Sequence, residues 1–238
     1  MFATVKRSVR RSRLMAAGFI HYYRDASPSG VWGGPFNGQV FRRRIFDALR
    51  DMNFAAILET GTYLGTSTEY FEATGLPVFT VEGNPKCYGF VRARFLRSSN
   101  VSPHLGDSRV QLRRILAGLG AETRDKPLFF YLDAHWKDDL PLAEELKIIL
   151  ETCAQPVIMI DDFEVAGDPG YGYDRYGRGK NLEREYIEPF IVHDDLSLFY
   201  PSAPSAEETG AKRGCAILVR AAARPKLLAM PELRLATP

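Results

Sequence analysis

Two rhythms of apolar and polar positions alternate along the chain. Val40, Phe41, Ile45, Phe46, Leu49 and Met52 recur at helical spacing and predict an amphipathic helix. Ala55 to Leu58 is a short apolar run with no helical period, which predicts a buried parallel strand ended by Glu59. Gly61 and Gly65 then bracket a tight turn, Thr66-Ser67 open a helix, and Gly75 supplies its C-cap. Val78 to Glu82 is a second strand, followed by Asn84 as N-cap and Pro85 at the first helical position. Val101 to Gly106 is a third, more polar strand, after which Asp107 or Ser108 can cap a helix carrying Leu112, Ile115, Leu116 and Leu119. Pro127 to Asp133 is a fourth strand, apolar until its last residue, and the next helix holds Leu142, Leu146, Ile149, Leu150 and Cys153. Pro156 to Ile160 is a fifth strand ending in Asp161-Asp162. Leu182 to Phe190 reads as a short helix. Leu196 to Tyr200 and Gly214 to Arg220 read as closing strands, paired antiparallel because Ser202 to Lys212 between them has no helical period. Strands alternating with helices predict an α/β fold with a doubly wound, mostly parallel sheet and a C-terminal antiparallel hairpin.

A chain of 238 residues suits one α/β domain with a large core. The expected division is a basic arm and loop over 1–38, a main domain over 39–220 and a tail over 221–238, which is basic, interrupted by proline and left unplaced. A formal charge of +2 gives no global field that argues for nucleic acid. The charge is uneven, however: Met1 to Arg24 has no acidic residue but carries Lys6, Arg7, Arg10, Arg11, Arg13 and Arg24. That arm could be an organelle-targeting segment, an anionic-membrane contact, or a solvated or partner-contacting helix, and the last is the preferred reading. Leu14 to Ile20 is too short to span a bilayer. Cys87, Cys153 and Cys215 are odd in number and widely spaced, as expected of reduced, packed thiols in a cytoplasmic protein.

The turn after the first strand has the layout of a nucleotide-type cofactor site. It reads E-x-G-x-x-x-G rather than the dinucleotide G-x-G-x-x-G. A carboxylate there would repel a pyrophosphate and suits a cationic ligand. S-adenosylmethionine carries an ammonium and a sulfonium, and its carboxylate can use helix N–H groups. Glu82 stands at the second strand tip, about 20 residues on, where a ribose diol needs an acceptor. Asp107 could accept from an adenine amine or simply cap its helix. Asp133, Asp161 and Asp162 converge on one sheet edge, where three carboxylates repel one another unless a cation is present. The bland alternatives are a ligand-free glycine turn, strand-end charges and helix caps. Glu164 to Asn181, rich in Gly and Tyr, is long for a connector and reads as a lid. His21, His104 and His193 have no partner pattern.

Leu58 to Gly65, Val81-Glu82 and Gly106-Asp107-Ser108 together resemble the motifs of class I S-adenosylmethionine-dependent methyltransferases. The resemblance implies a seven-stranded sheet whose last pair is a hairpin inserted antiparallel. It implies cofactor contacts from Glu59, Gly61, Tyr63, Gly65, Ser67, Glu82, Asp107, Ser108 and Asp133. Within that superfamily the chain is most similar to metal-dependent O-methyltransferases of the catechol and macrocin types, whose metal positions match Asp133, Asp161 and Asp162. The metal implied is Mg²⁺ or a similar divalent cation. Leu132 to Asp138 resembles the catechol-type run Leu-Asp-His-Trp-Lys-Asp with one extra residue, Ala134, so the base is His135 or Lys137. The implied reaction is Mg-assisted O-methylation of a small hydroxylated acceptor: a sugar, polyketide sugar or phenol. Nucleic acid and a transmembrane segment are not expected, and a homodimer is left open. Two other readings compete. One is a non-catalytic methyltransferase-like module binding a partner through its basic arm. The other is a metal-dependent hydrolase, which would have no need of Glu59, Gly61 or Glu82.

Overall fold

The apolar runs become the middle of one twisted sheet. The computed structural model describes residues 2–24, 33–135 and 139–237. In chain order its helices and strands are α1 (Phe2–Arg24), α2 (Val40–Leu49), β1 (Ala56–Thr60), α3 (Thr66–Glu72), β2 (Val78–Glu82), α4 (Pro85–Arg94), β3 (Val101–Leu105) and α5 (Ser108–Gly118). Next come α6 (Ala121–Arg124), β4 (Pro127–Leu132), α7 (Leu142–Thr152), β5 (Gln155–Asp161), α8 (Arg184–His193), β6 (Leu196–Pro201), β7 (Cys215–Arg220), α9 (Arg224–Leu228) and β8 (Leu233–Leu235). The sheet order is β3-β2-β1-β4-β5-β7-β6-β8. The first five strands are parallel, and β7 inserts antiparallel between β5 and β6.

Successive strand residues point to opposite faces, so each strand feeds two cores. Leu58 and Phe130 pack with Leu112, Leu146, Ile149 and Ile187 of α5, α7 and α8. Ile57 and Phe129 pack on the other side with Ile45, Phe46, Leu49 and Phe71 of α2 and α3. Both faces being covered explains why the parallel strands read as continuous apolar runs.

The sheet has eight strands rather than the expected seven. The extra one comes from the unplaced tail, where Leu235 pairs with Phe199 and Leu233 with Pro201. It covers the outer edge of β6, which would otherwise present unpaired backbone groups. A strand of three residues has too few positions to show a period. The basic arm is the long helix α1, laid on α4. The two helices approach closely at Gly18 and Gly89, where any Cβ would overlap the carbonyls of Lys86 and Met15 respectively. Among the described residues no helix is long and apolar enough to cross a membrane, and all three cysteines are free.

Candidate active site

Parallel pairing brings the carboxyl ends of β1, β2, β4 and β5 to one edge, and Thr60 lies opposite both Val81 and Leu132. The chain leaves β1 at Gly61 with φ +86, a conformation costly for other residues. A Cβ at Gly61 would also overlap the Asp133 carbonyl, so this glycine lets the ends of β1 and β4 close together. The Asp133 N–H donates to the Thr60 carbonyl at 2.9 Å across the same gap. Tyr63 is left-handed (φ 51), with its ring half exposed and its N–H donating to Glu82 Oε2 at 2.7 Å. The Asn84 N–H donates to Glu82 Oε1 at 2.6 Å. Two amides thus fix the Glu82 carboxylate, while burial, only partly offset by them, raises its pKa. Gly65 (φ +78) precedes α3, and Ser67 Oγ accepts from the Phe36 N–H at 3.0 Å, joining the turn to the segment before α2. Asp107 caps α5 through the Arg109 N–H at 2.9 Å, and the Arg109 guanidinium holds its pKa down. Ser108 is buried at the first position of α5.

Glu59 sits one residue inside β1, which ends at Thr60 rather than at Glu59. Its side chain is enclosed, and Oε2 accepts from the hydroxyls of Thr68 at 2.5 Å and Thr80 at 2.6 Å. Burial pushes its pKa up to about 7 against the pull of those two bonds. The expectation that Glu59 ends the strand therefore differs by one residue from its placement here.

At the neighbouring strand ends Asp133, His135 and Asp162 converge, with one donor atom from each within 4.8 Å of the others. His135 Nε2 lies 3.6 Å from Asp133 Oδ1 and 3.7 Å from Asp162 Oδ2. That nitrogen is buried and has no hydrogen-bond partner. Burying an unpaired polar atom is costly, so a missing partner is implied. Asp133 is still 30% exposed at its side chain, yet its enclosure by protein, with Asp161 and Asp162 nearby, raises its pKa well above the carboxylate range. Burial alone would raise Asp162 too, but His135 and Arg213 more than offset it and hold Asp162 at about 2. Two carboxylates and an imidazole with an orphaned nitrogen fit a divalent cation.

The structure does not bring Asp161 into this group. Its Oδ1 is taken by Arg42 and the Asp162 N–H, and its Oδ2 by the Tyr131 hydroxyl and Asn37. Asp161 points inward as the last residue of β5, whereas Asp162 turns out with φ 53. Lys137 lies outside the described residues.

Three side chains at this edge, Arg42, Glu145 and Arg213, went unread in the sequence. Arg42 and Glu145 are buried charges on apolar helix faces. The signal was their spacing: Arg42 is in phase with Ile45, Phe46 and Leu49, and Glu145 with Leu142, Leu146 and Ile149. Burial raises Glu145 against the opposing effects of Ser108, Thr60 and His135. Arg213 donates to Asp162 Oδ1 at 2.6 Å and also holds Asp174. Tyr176 places its ring 6.3 Å from that of His135, edge to face. Nothing in local sequence marks Arg213, whose partners are distant along the chain, whereas Tyr176 belongs to the segment read as a lid.

No protein-family model matches the chain, and no curated protein matches it in sequence. Solved structures do resemble it. A candidate caffeoyl-CoA O-methyltransferase from Staphylococcus aureus superposes with a TM-score of 0.55 at 16% identity, over 89% of this chain and 99% of its own. The O-methyltransferase TomG of Streptomyces achromogenes, involved in tomaymycin synthesis and solved with S-adenosylmethionine, gives 0.54 at 18% identity, over 75% and 78%. A candidate O-methyltransferase from Klebsiella pneumoniae gives 0.53 at 18%, over 75% and 79%. With an antiparallel strand inserted beside five parallel ones, the chain has the fold of the class I S-adenosylmethionine-dependent methyltransferases.

Proposed function

We propose that the protein is an S-adenosylmethionine-dependent O-methyltransferase of a small hydroxylated metabolite, with a divalent cation held by Asp133, His135 and Asp162. The observation that carries this reading is the orphaned His135 Nε2 between two carboxylates, on the same sheet edge as the Glu82 turn. The mixed nitrogen and oxygen donors suit Mn²⁺ as well as Mg²⁺.

In this reading Glu82, fixed by the amides of Tyr63 and Asn84, accepts from the ribose diol. Asp107 and Ser108 border the adenine, and the turn from Gly61 through Tyr63 and Gly65 to Ser67 carries the methionine part. S-adenosylmethionine supplies the methyl group on a sulfonium. The cation, when bound, supplies Lewis acidity that lowers the pKa of an acceptor hydroxyl. Asp162 stays ionised beside the Arg213 guanidinium and so remains a ligand at acidic pH. Arg213 fixes that carboxylate, and Tyr176 closes one side of the group. With His135 among the donors, the acceptor proton passes to Lys137, which follows it closely in the chain. Holding the oxygen in line with the methyl group is worth roughly 7–11 kcal/mol. Residues 39–220 carry the proposed site, with 1–38 as an arm whose end packs against it and 221–238 as a tail whose β8 completes the sheet. A reducing, cytoplasmic setting suits its three free thiols.

Calorimetry with S-adenosylhomocysteine, with and without Mn²⁺ or Mg²⁺, tests the reading. Glu82→Ala removes charge-assisted bonds and should weaken nucleoside binding by about 1.5–3 kcal/mol. Asp162→Asn should leave that binding intact and abolish metal binding. Unchanged affinity in folded Glu82→Ala takes Glu82 out of the site. Methyl transfer that survives exhaustive chelation rules out the metal.

A further inference from the structure

The helices α1 and α4, which pack on each other, share an unusual composition. Met1 to Arg24 and Gly83 to Gly106, which contain α1 and α4, hold ten of the chain's 31 Lys and Arg and none of its 29 Asp and Glu. The rest of the chain is therefore acidic, 21 against 29, although the whole carries only +2. Because α1 packs on α4 through Gly18 and Gly89, the two basic segments form one layer. Arg10, Arg11, Arg13, Arg24, Arg92 and Arg97 are exposed on it, and none has an ion-pair partner among the described residues.

The side of α1 turned from α4 is not uniformly polar. Val9, Ala16, Ile20 and Tyr23 follow one another at helical steps with Arg13 between them, all exposed. Val9 is 46% exposed, Ile20 50% and Tyr23 63%. Gly18 faces α4, and this stripe lies on the opposite side of α1. An apolar stripe flanked by unpaired arginines is the pattern of a helix lying in a lipid headgroup layer.

We infer that α1, backed by α4, docks the protein on an anionic lipid surface. Charge complementarity selects this occupant. A second copy of the chain would bring one basic layer against another. A nucleic acid would satisfy the arginines but leave Val9, Ile20 and Tyr23 with nothing to bury them. Gly18 packs at Lys86 in the first turn of α4, just after Glu82, so the docked helix runs beside the proposed cofactor turn. The inference stands without the methyltransferase reading.

Co-sedimentation of the full chain with vesicles of phosphatidylcholine, with or without phosphatidylglycerol, decides it. Binding should require phosphatidylglycerol and weaken in high salt. Arg10→Glu/Arg13→Glu should lower the partition coefficient by about tenfold or more. Val9→Ser/Ile20→Ser should lower it several-fold even where the charge term is screened. Circular dichroism establishes that both variants keep the fold. No binding to anionic vesicles overturns the inference, as does binding that ignores the Val9/Ile20 change. Tighter binding to duplex DNA or RNA than to vesicles, insensitive to that change, assigns the layer to nucleic acid instead. Self-association lost in Ile20→Ser, without vesicle binding, assigns it to a second copy.

Discussion

A carboxylate one residue inside a strand behaves differently from one at its tip, and Glu59 shows by how much. Enclosed by Thr68 and Thr80, it titrates near 7 in the folded protein against about 4.5 in the unfolded chain. The folded state thus binds the proton more tightly, and between these values it holds more protons than the unfolded state. Its contribution to stability is fully present below about pH 4.5, falls as pH rises, and levels off above 7. The span is on the order of 3 kcal/mol for a buried group shifted this far. Glu59→Gln, which mimics the protonated form, should flatten that part of the profile in urea titrations at successive pH values. A variant whose stability falls between pH 5 and 7 as steeply as the parent assigns the slope to other groups. Asp162 has the opposite sign: depressed to about 2, it contributes stability present above the unfolded carboxylate value and lost as pH falls toward 2.

At the scale of elements the segment from Glu164 to Asn181 is two things rather than one. Its root is packed: Tyr171 is buried with its hydroxyl donating to the Ala203 carbonyl at 3.0 Å, and the Asp174 N–H donates to the Asp162 carbonyl at 2.9 Å. Only the tip projects, folded back by the Tyr176 N–H on the Lys180 carbonyl at 3.1 Å and the Lys180 N–H on the Gly177 carbonyl at 3.0 Å. A lid function therefore belongs to the tip and to Tyr176, which faces His135. Tyr176→Ala should leave S-adenosylhomocysteine affinity unchanged while acceptor turnover falls about 100-fold through lost positioning. Steady-state kinetics beside calorimetry separate the two effects, and normal turnover makes the segment a plain connector. The helix α1 belongs to this scale as well. Its glycine-mediated seat on α4 turns a basic stretch of sequence into a fixed surface.

For the whole molecule the telling contact is Arg42, which joins α2, β5 and the start of β7 in one buried knot. It bonds to Asp161 and to the carbonyls of Arg213 and Gly214. Arg42→Met leaves Asp161 as a buried charge with no counterion, a loss of about 3–5 kcal/mol. Arg42→Met/Asp161→Leu should recover most of it, since replacing a buried pair by apolar groups is often neutral. Chemical denaturation of both variants measures this. A single variant as stable as the parent means that the pair does not hold these elements together.

By itself the sequence determined the alternation of strands and helices, the carboxyl edge where the acids gather, and the antiparallel pairing of β6 with β7, whose insertion beside β5 came only from the family resemblance. Those follow from short apolar runs, a period of 3.6 and turn residues, all written in neighbouring positions. Only the tertiary structure decided which acids meet. Asp161 and Asp162 are adjacent in the chain, yet the strand's alternation and the left-handed turn at Asp162 send one into the Arg42 knot and the other toward His135. The enclosure of Glu59 and the hold of Arg213 on Asp162 likewise depend on partners far along the chain, from strands brought together by pairing. Short β8 became a strand because β6 offered it an edge, not because its own residues required one. Local pattern sets each element and its faces, while the chemistry of the site is set by what those faces meet.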